Sequence, residues 1–298
     1  MKLFRGCLAL LGILSGAACE RAKPAAAGDS AHANAPAGAD TAAAALPARD
    51  WDPSAGPVLL VVGETPARAY VVLPEAASAA TELARIPHPA SVTLFGRGGT
   101  VQTAELPAVS DSGACPAASL SAAPPPRPWN VGFVGGVVSP IGMDSTESIS
   151  HGDSVSIVAA VTRLASAMPN DSAGRFTGLP FVVRSIWRFN ILNGPQVVVA
   201  NLARQINQEA TPLAERTLLV AERNGTDTTL TTAYSERSYG NEENIETRDV
   251  LAAALLGGAR IPALIVAHDY GDATAYGLVE RGADGRWRAR WASAKRHC

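Results

Sequence analysis

Four side chains between residues 144 and 153 supply every residue type of a nucleophilic triad. They are Asp144, Ser145, His151 and Asp153. The groups of a triad must converge in space, and they usually come from distant parts of a chain. Here all four lie in one loop, and Asp153 stands before a helical pattern, where an aspartate serves as N-cap. We therefore interpret the cluster as structural and assign no catalytic residue.

A second candidate is the pair His268-Asp269, which closes a predicted strand just before a turn. A histidine that is hydrogen-bonded to a carboxylate can act as a general base or as a metal ligand. No third partner follows at a ligand spacing, and strand ends also carry polar residues because they meet water. The pair is kept as a candidate binding site, with no metal and no cofactor assigned.

A third candidate is a polar stretch that follows the apolar strand predicted at residues 197–202. Its side chains offer a guanidinium, two amides and a carboxylate, from Arg204, Asn207, Gln208 and Glu209. Glu215, Arg216 and Glu222 follow within reach, and such groups can line a crevice that hydrogen-bonds a sugar or a peptide. A solvated loop between two strands would have the same composition, so both interpretations stay open.

Three acids, Glu242, Glu243 and Glu246, offer hard oxygen ligands of the kind that Ca²⁺ prefers. The alternating acidic loop and the glycine of an EF-hand are missing. Residues 248–256, followed by two glycines, are predicted to form a helix. Acids before a helix and glycine after it match the helix dipole and the C-terminal cap, so we interpret the acids as structural.

Near the C-terminus, Arg286, Arg288 and Arg290 alternate with Trp287 and Trp291 across a predicted strand. Arginines interleaved with tryptophan can contact an anionic surface or a glycan. Period-two alternation is also the pattern of a half-buried strand. We therefore predict that both tryptophans are buried and that the three arginines are exposed.

Recognisable catalytic motifs and a basic excess are both missing from the sequence. It contains no P-loop, G-x-G-x-x-G, H-E-x-x-H, G-x-S-x-G or C-x-x-C motif. It carries 25 basic and 27 acidic residues, for a net charge of -2. Because binding to phosphates of nucleic acids needs a basic excess, nucleic acid is not expected as a main partner.

The first residues have the pattern of an export signal. Lys2 and Arg5 precede an apolar run over residues 6–18 that is too short to span a bilayer as a helix of ~20 residues. The segment from Leu14 to Cys19, with small residues before the cysteine, resembles the lipobox of bacterial lipoproteins. The resemblance implies that residues 1–18 are removed and that a lipid on Cys19 anchors the protein to a membrane of the cell envelope, on the periplasmic or extracellular side.

One position of this segment departs from the lipobox pattern. Gly16 stands three residues before the cysteine, where leucine is usual. The sequence Gly16-x-Ala18 also suits ordinary signal cleavage before Cys19, so simple secretion is the alternative to lipidation.

Residues 19–49 consist mainly of Ala, Gly, Pro, Asp and Ser. Such a segment cannot bury enough apolar surface to offset its ordering entropy. We interpret it as a disordered tether between the lipid and the globular part, although a linker without any role would have the same composition.

The four cysteines suggest one disulfide. Cys7 lies in the signal peptide and Cys19 is the proposed lipid site, which leaves Cys115 and Cys298 as an even pair. Since exported proteins meet an oxidising compartment, we predict a bond between these two.

The remaining sequence predicts an α+β fold, predominantly an antiparallel β-sheet of hairpins with a C-terminal meander and two or three short helices. The helices are placed at residues 78–85, 153–168 and 248–256. Asn193-Gly194 and Asn224-Gly225 are strong hairpin turns. A loop-like stretch at residues 110–128 divides a small β-rich subdomain, residues 50–128, from an α+β domain, residues 129–298.

These observations favour a binding or interaction protein over an enzyme. The leading hypothesis is an envelope lipoprotein that binds another envelope component through its antiparallel sheet. The alternative is an extracytoplasmic hydrolase whose site lies near His268 and Asp269 or in the loop at residues 204–209. An enzyme should bring two or three titratable groups into one cleft within hydrogen-bond reach.

Overall fold

The computed structural model describes residues 58–297, except for 75–82, 85, 111–114, 125, 136–137, 170–173, 208–211 and 226. The predicted signal peptide, the tether, Cys19 and Cys298 lie outside the described residues. Within them the chain forms sixteen strands and one helix. The fold is therefore mostly antiparallel β-sheet, as predicted, but with fewer helices than the α+β prediction contained.

The strands form three sheets. Sheet I has the order β4-β3-β6-β1-β2-β5. Its strands are β1 (Val58–Val62), β2 (Arg68–Val72), β3 (Ala90–Phe95), β4 (Gln102–Leu106), β5 (Ala117–Ser119) and β6 (Val131–Val134). The central strand β6 follows the stretch at residues 110–128, so sheet I is completed by a strand from beyond the predicted subdomain boundary.

Sheets II and III have five strands each, in the orders β16-β15-β14-β13-β7 and β12-β11-β10-β9-β8. Sheet II contains β7 (Val138–Ile141), β13 (Thr247–Leu256), β14 (Ile261–Asp269), β15 (Thr274–Arg281) and β16 (Trp287–Ala292). Sheet III contains β8 (Asp144–Ser145), β9 (Val182–Asn190), β10 (Gln196–Ile206), β11 (Leu213–Arg223) and β12 (Thr231–Asn241).

Sheet II is the central layer, with sheet I on one face and sheet III on the other. Along β14, Ala263 and Ile265 pack into the core shared with sheet I. Leu264 and Val266 pack into the core shared with sheet III. Because successive side chains point to opposite faces of a strand, a strand buried on both faces is apolar at consecutive positions.

The segment at residues 248–256 is a strand, so the predicted helix there is wrong. Alanine and leucine, which dominate this segment, are good helix formers. In the folded protein they form β13, which pairs with β7 and β14 and is buried on both faces. The burial of two apolar faces outweighs the local helix propensity, and Gly257 with φ 66° forms part of a hairpin turn instead of a helix cap.

The helix α1 (His151–Ala167) covers the outer face of sheet III. Ser150 is its N-cap, with a side-chain oxygen that accepts a hydrogen bond of 3.2 Å from the Asp153 N–H; the prediction of Asp153 as N-cap is wrong. The buried residues are Ile157, Val161 and Ala165, one every four positions. Among the described residues, no helix has both the length and the apolar character needed to cross a membrane.

The helix predicted at residues 78–85 falls mainly outside the described part of the chain, in which only Leu83 and Ala84 of this segment are helical. The two Asn-Gly hairpins are confirmed. Asn193, with φ 56°, lies between β9 and β10, and Asn224 follows β11 directly. Asn193 has the left-handed φ that tight turns require, whereas Asn224 does not, and β12 begins only at Thr231.

The tryptophans of β16 are buried and its arginines exposed, as the alternation predicted. Trp287 is 3% and Trp291 2% exposed. The two tryptophans have different surroundings because β16 contains a bulge. The neighbours Leu278 and Val279 on β15 pair with Trp291 and Ala289, so Arg290 is an extra residue on β16. This bulge switches the side-chain alternation, so Trp287 packs toward sheet III and Trp291 toward sheet I.

Candidate functional site

His268 is paired with a glutamate, not with the neighbouring aspartate. The ring is 3% exposed, and its Nδ1 lies 2.7 Å from Oε1 of Glu246. Asp269 is exposed, and its Oδ1 accepts a hydrogen bond of 2.8 Å from the Gly271 N–H. The structure therefore separates the two candidates: Asp269 shapes a turn, and His268 belongs to a buried network.

This network continues through Arg248, which is tied to two carboxylates. Its Nη2 lies 2.9 Å from Oε2 of Glu246, and its Nε lies 2.7 Å from Oε2 of Glu236. The remaining nitrogen, Nη1, donates a hydrogen bond of 3.2 Å to the Ser238 hydroxyl. The guanidinium of Arg248 thus contacts two carboxylates and a hydroxyl and holds the ends of sheets II and III together, although the contact of its Nε with Glu236 is an ion pair without a hydrogen bond.

Burial and neighbouring charges shift the pKa values of two residues at this network, Glu246 and Tyr234. Burial raises the pKa of Glu246, but the hydrogen bond from His268 and the charge of Arg248 more than offset it, so the net pKa lies below its ordinary value of 4.5. For Tyr234, burial and the charge of Glu236 both raise the pKa. Glu246 is therefore a stable carboxylate at neutral pH and a weak general base.

Arg204, the first residue of the polar stretch, belongs to a second buried network. Its Nε and Nη2 donate to Oε2 of Glu215 at 3.1 and 2.8 Å, and its guanidinium lies 4.6 Å from the centre of the Phe181 ring. Arg237 lies 3.1 Å from the other oxygen of Glu215. Arg204 and Glu215 are 8% and 0% exposed, so they support the core next to α1. Asn207 is exposed, and Gln208 and Glu209 lie outside the described residues.

The four triad-like residues do not converge either. Asp144 and Ser145 form the short strand β8, and Asp144 lies 3.5 Å from Arg188 on the adjacent strand. His151 and Asp153 are exposed in the first turn of α1. In the described part of the chain no hydrogen bond joins Ser145 to His151.

A cavity of about 220 Å³ that is lined by several polar side chains lies where the ends of sheets II and III meet. We call it the arginine pocket and define it by Arg184, Ser185, Asn201, Arg216, Arg248 and Asp249. On β10 and β11, Asn201 and Arg216 stand two positions from Val199 and Leu218, which pack against sheet II. The alternation of the strands therefore turns these two polar side chains toward sheet II.

The polar groups of the arginine pocket differ in their hydrogen-bond and ion-pair partners. Arg248 is paired with Glu246 and Glu236, and Asp249 is bound by Arg97. The Nε of Arg216 is buried and has no hydrogen-bond partner among the described residues, while its Nη2 lies 3.8 Å from Glu242. Arg184 is exposed and has no ion-pair partner in the part of the chain that the structure describes. At 3.8 Å the ion pair with Glu242 is weak, so the terminal nitrogens of Arg216 can donate hydrogen bonds to an anionic ligand in the cavity.

Sequence reasoning found Arg216 but placed it with the wrong neighbours. It missed Arg184, Arg248 and Asn201. One local signal was present, since Asn201 interrupts the apolar run of β10 at a position that faces the core between two sheets. A polar residue at such a position needs a partner, and here Nδ2 donates a hydrogen bond of 3.1 Å to the Ser185 hydroxyl.

Within the described ranges, no group of three His, Cys, Asp or Glu side chains is arranged to hold a metal ion. Comparisons with protein-family models, with curated proteins and with solved structures found no match to this chain.

Proposed function

We propose that this protein is a lipid-anchored, extracytoplasmic binding module that holds a carboxylate-bearing ligand in the arginine pocket. The export signal and the lipobox-like segment before Cys19 support the location. The observation that carries the ligand class is that Arg184 and Arg216 line one cavity and that, among the described residues, neither has a carboxylate closer than 3.8 Å. A guanidinium presents donors in a fixed fork that matches a carboxylate.

The other polar groups of the pocket fit the same ligand. Arg184 supplies a second guanidinium at the rim, and Asn201 and Ser185 supply neutral polar groups beside it. At about 220 Å³ the cavity is smaller than the ~300–1,000 Å³ of pockets that enclose drug-sized ligands. It therefore takes a small acid or the carboxylate end of a longer molecule, such as a peptide C-terminus.

Binding is favoured over hydrolysis by the state of the titratable groups. The buried His268 and Glu246 are paired with each other, and the pKa of Glu246 lies below its ordinary value. The three hydroxyl residues at the pocket, Ser185, Thr217 and Thr247, have no histidine beside them among the residues that line it. Activation of a hydroxyl nucleophile needs an adjacent base.

The test is calorimetric titration of the full chain with N-acetyl dipeptides that carry either a free or an amidated C-terminus. We expect binding of the free acids only, and a loss of at least tenfold in affinity, about 1.4 kcal/mol, for Arg216→Gln. Arg188→Gln removes an arginine from the same sheet outside the pocket and should bind like the wild type. Equal binding of acids and amides, or no binding of either, would overturn the proposal.

A further inference from the structure

A second arginine-rich cavity lies at the opposite end of sheet II from the arginine pocket. It has a volume of about 530 Å³ and lies between the β13–β14 turn and the β15–β16 hairpin. We call it the hairpin groove and define it by Arg260, Pro262, Glu280, Arg281, Arg288 and Arg290. Four of these six residues are arginines, and three of those come from the hairpin of β15 and β16.

The four arginines differ in how completely they are neutralised. Arg281 is bound through two nitrogens to Glu222, at 2.6 and 3.0 Å. Arg288 is bound through two nitrogens to Asp284. These two guanidinium groups are balanced by carboxylates.

Arg260 and Arg290 retain unused donors. Arg290 reaches Glu280 through its Nε alone, at 3.4 Å, and its side chain is 44% exposed. Arg260 contacts only the hydroxyl of Ser139, at 3.3 Å, and has no carboxylate partner within the described ranges. The groove therefore carries a surplus of positive charge and two guanidinium groups whose unused N–H donors can bind an anion.

The backbone at Arg260 gives an independent indication. Its φ is 53°, in the left-handed region, where a residue with a side chain is strained by about 1–2 kcal/mol. The residue ends the tight turn after β13, with its N–H donating a hydrogen bond of 3.1 Å to the Gly257 carbonyl. Glycine or asparagine would fit this turn with less strain. A strained arginine at the edge of a charged cavity is typical of a site where the side chain itself is needed.

We propose that the hairpin groove binds a phosphate group through Arg260 and Arg290. A phosphate offers several acceptor oxygens and can engage two guanidinium groups at once. The larger volume of the groove leaves room for the molecule that carries the phosphate, either a soluble phosphomonoester or the headgroup of an anionic phospholipid. The site shares no residue with the arginine pocket, so its test is independent of the test of the proposed function.

The experiment compares the full chain with a variant that combines Arg260→Asn and Arg290→Gln. Asparagine tolerates the left-handed conformation, so this variant removes the guanidinium without adding backbone strain. Arg163→Gln, on the exposed surface of α1, is the control for the loss of one positive charge outside the groove. The urea midpoints of all three proteins show whether each is folded.

Two arms distinguish the sources of phosphate. In the first, glycerol phosphate is titrated at low ionic strength by calorimetry. In the second, co-sedimentation is measured with phosphatidylcholine vesicles that contain or lack phosphatidylglycerol, and the increase caused by phosphatidylglycerol is compared between proteins. A lipid anchor would contribute equally to both vesicle types and cancels in that comparison.

We expect wild type and Arg163→Gln to respond in one of the arms, with a loss of at least tenfold for the combined variant. A response to glycerol phosphate assigns the site to a soluble ligand, and a response to phosphatidylglycerol alone assigns it to a lipid headgroup. If the combined variant matches the wild type in both arms, the proposal is wrong.

Discussion

The indole Nε1 of Trp287 donates a hydrogen bond of 2.6 Å to Oε1 of Glu222, although the two residues are 65 positions apart. Glu222 ends β11 in sheet III, and Trp287 begins β16 in sheet II. The same carboxylate accepts two hydrogen bonds from Arg281, at 2.6 and 3.0 Å. One acid therefore accepts three hydrogen bonds from two residues of the neighbouring sheet and links the two layers.

Removal of this acid should be costly. Glu222→Ala leaves Arg281 and the Trp287 indole without their acceptor, and we expect a decrease of about 3 kcal/mol in the free energy of unfolding. Urea denaturation measures it. The matched control is Asp284→Ala, which breaks an ion pair whose two side chains are 48% exposed. Exposed pairs contribute little, so equal destabilisation by the two substitutions would contradict the role assigned to Glu222.

Glu246 should make stability depend on acid pH. Because its pKa is lower in the folded state than the ordinary 4.5, the carboxylate stabilises the fold fully above about pH 4.5. That contribution is lost as the pH falls through the lowered value. As the pH falls below 4.5, the free energy of unfolding should therefore decrease less in Glu246→Gln than in the wild type. Urea midpoints at a series of pH values measure this decrease.

The exposed Glu243 provides the control for this pH dependence. Glu243→Gln should keep the wild-type loss of stability on acidification. An unchanged slope in Glu246→Gln would show that the carboxylate is not held by His268 and Arg248 in solution.

Lipidation at Cys19 is tested directly by mass spectrometry of the mature N-terminus. The lipobox-like segment predicts a Cys19 that carries diacylglycerol and begins the mature chain. Cys19→Ala should abolish both the mass increase and the partition into detergent. A mature chain that begins with an unmodified Cys19 thiol would instead support simple secretion.

A disulfide between Cys115 and Cys298 is expected from the path of the last residues. Ala294 donates a hydrogen bond of 3.3 Å to the Leu73 carbonyl, so the C-terminal segment crosses from sheet II to sheet I. Arg296 lines the same small cavity as the buried Cys115. Cys298 itself lies outside the described residues, but it follows Arg296 by two positions.

The bond would close a long loop, and its loss should cost about 2–4 kcal/mol. We expect Cys298→Ser to be less stable than the wild type by this amount without reductant and equally stable with reductant. Quantitative thiol labelling of both cysteines in the non-reduced, denatured wild type would exclude the bond.

Local patterns were sufficient for most strands and for their turns. The strand predicted at residues 197–202 lies within β10, and both Asn-Gly hairpins are present. These features depend on side-chain alternation and on turn residues within a few positions, which the sequence shows directly. The bulge at Arg290 needs the pairing with β15, and the alternation of β16 alone did not reveal it.

Where packing competes with local preference, the sequence was misleading. Residues 248–256 have good helix propensity, yet they form β13 because two other sheets cover both of its faces. The same error led to the interpretation of Glu246 as an acid before a helix. Its actual partners, His268 and Arg248, come from strands β14 and β13.

The sequence by itself determined a mostly antiparallel β protein, with many of its strands, the main helix and the hairpins, but not β13. Only the tertiary structure decided which polar residues meet. Asn201 and Arg216 lie 15 positions apart on adjacent strands and meet Arg248 only because sheet II lies over sheet III. Strand register and sheet stacking result from the burial of apolar faces along the whole chain, so the partners of a buried polar side chain cannot be read from its sequence neighbours.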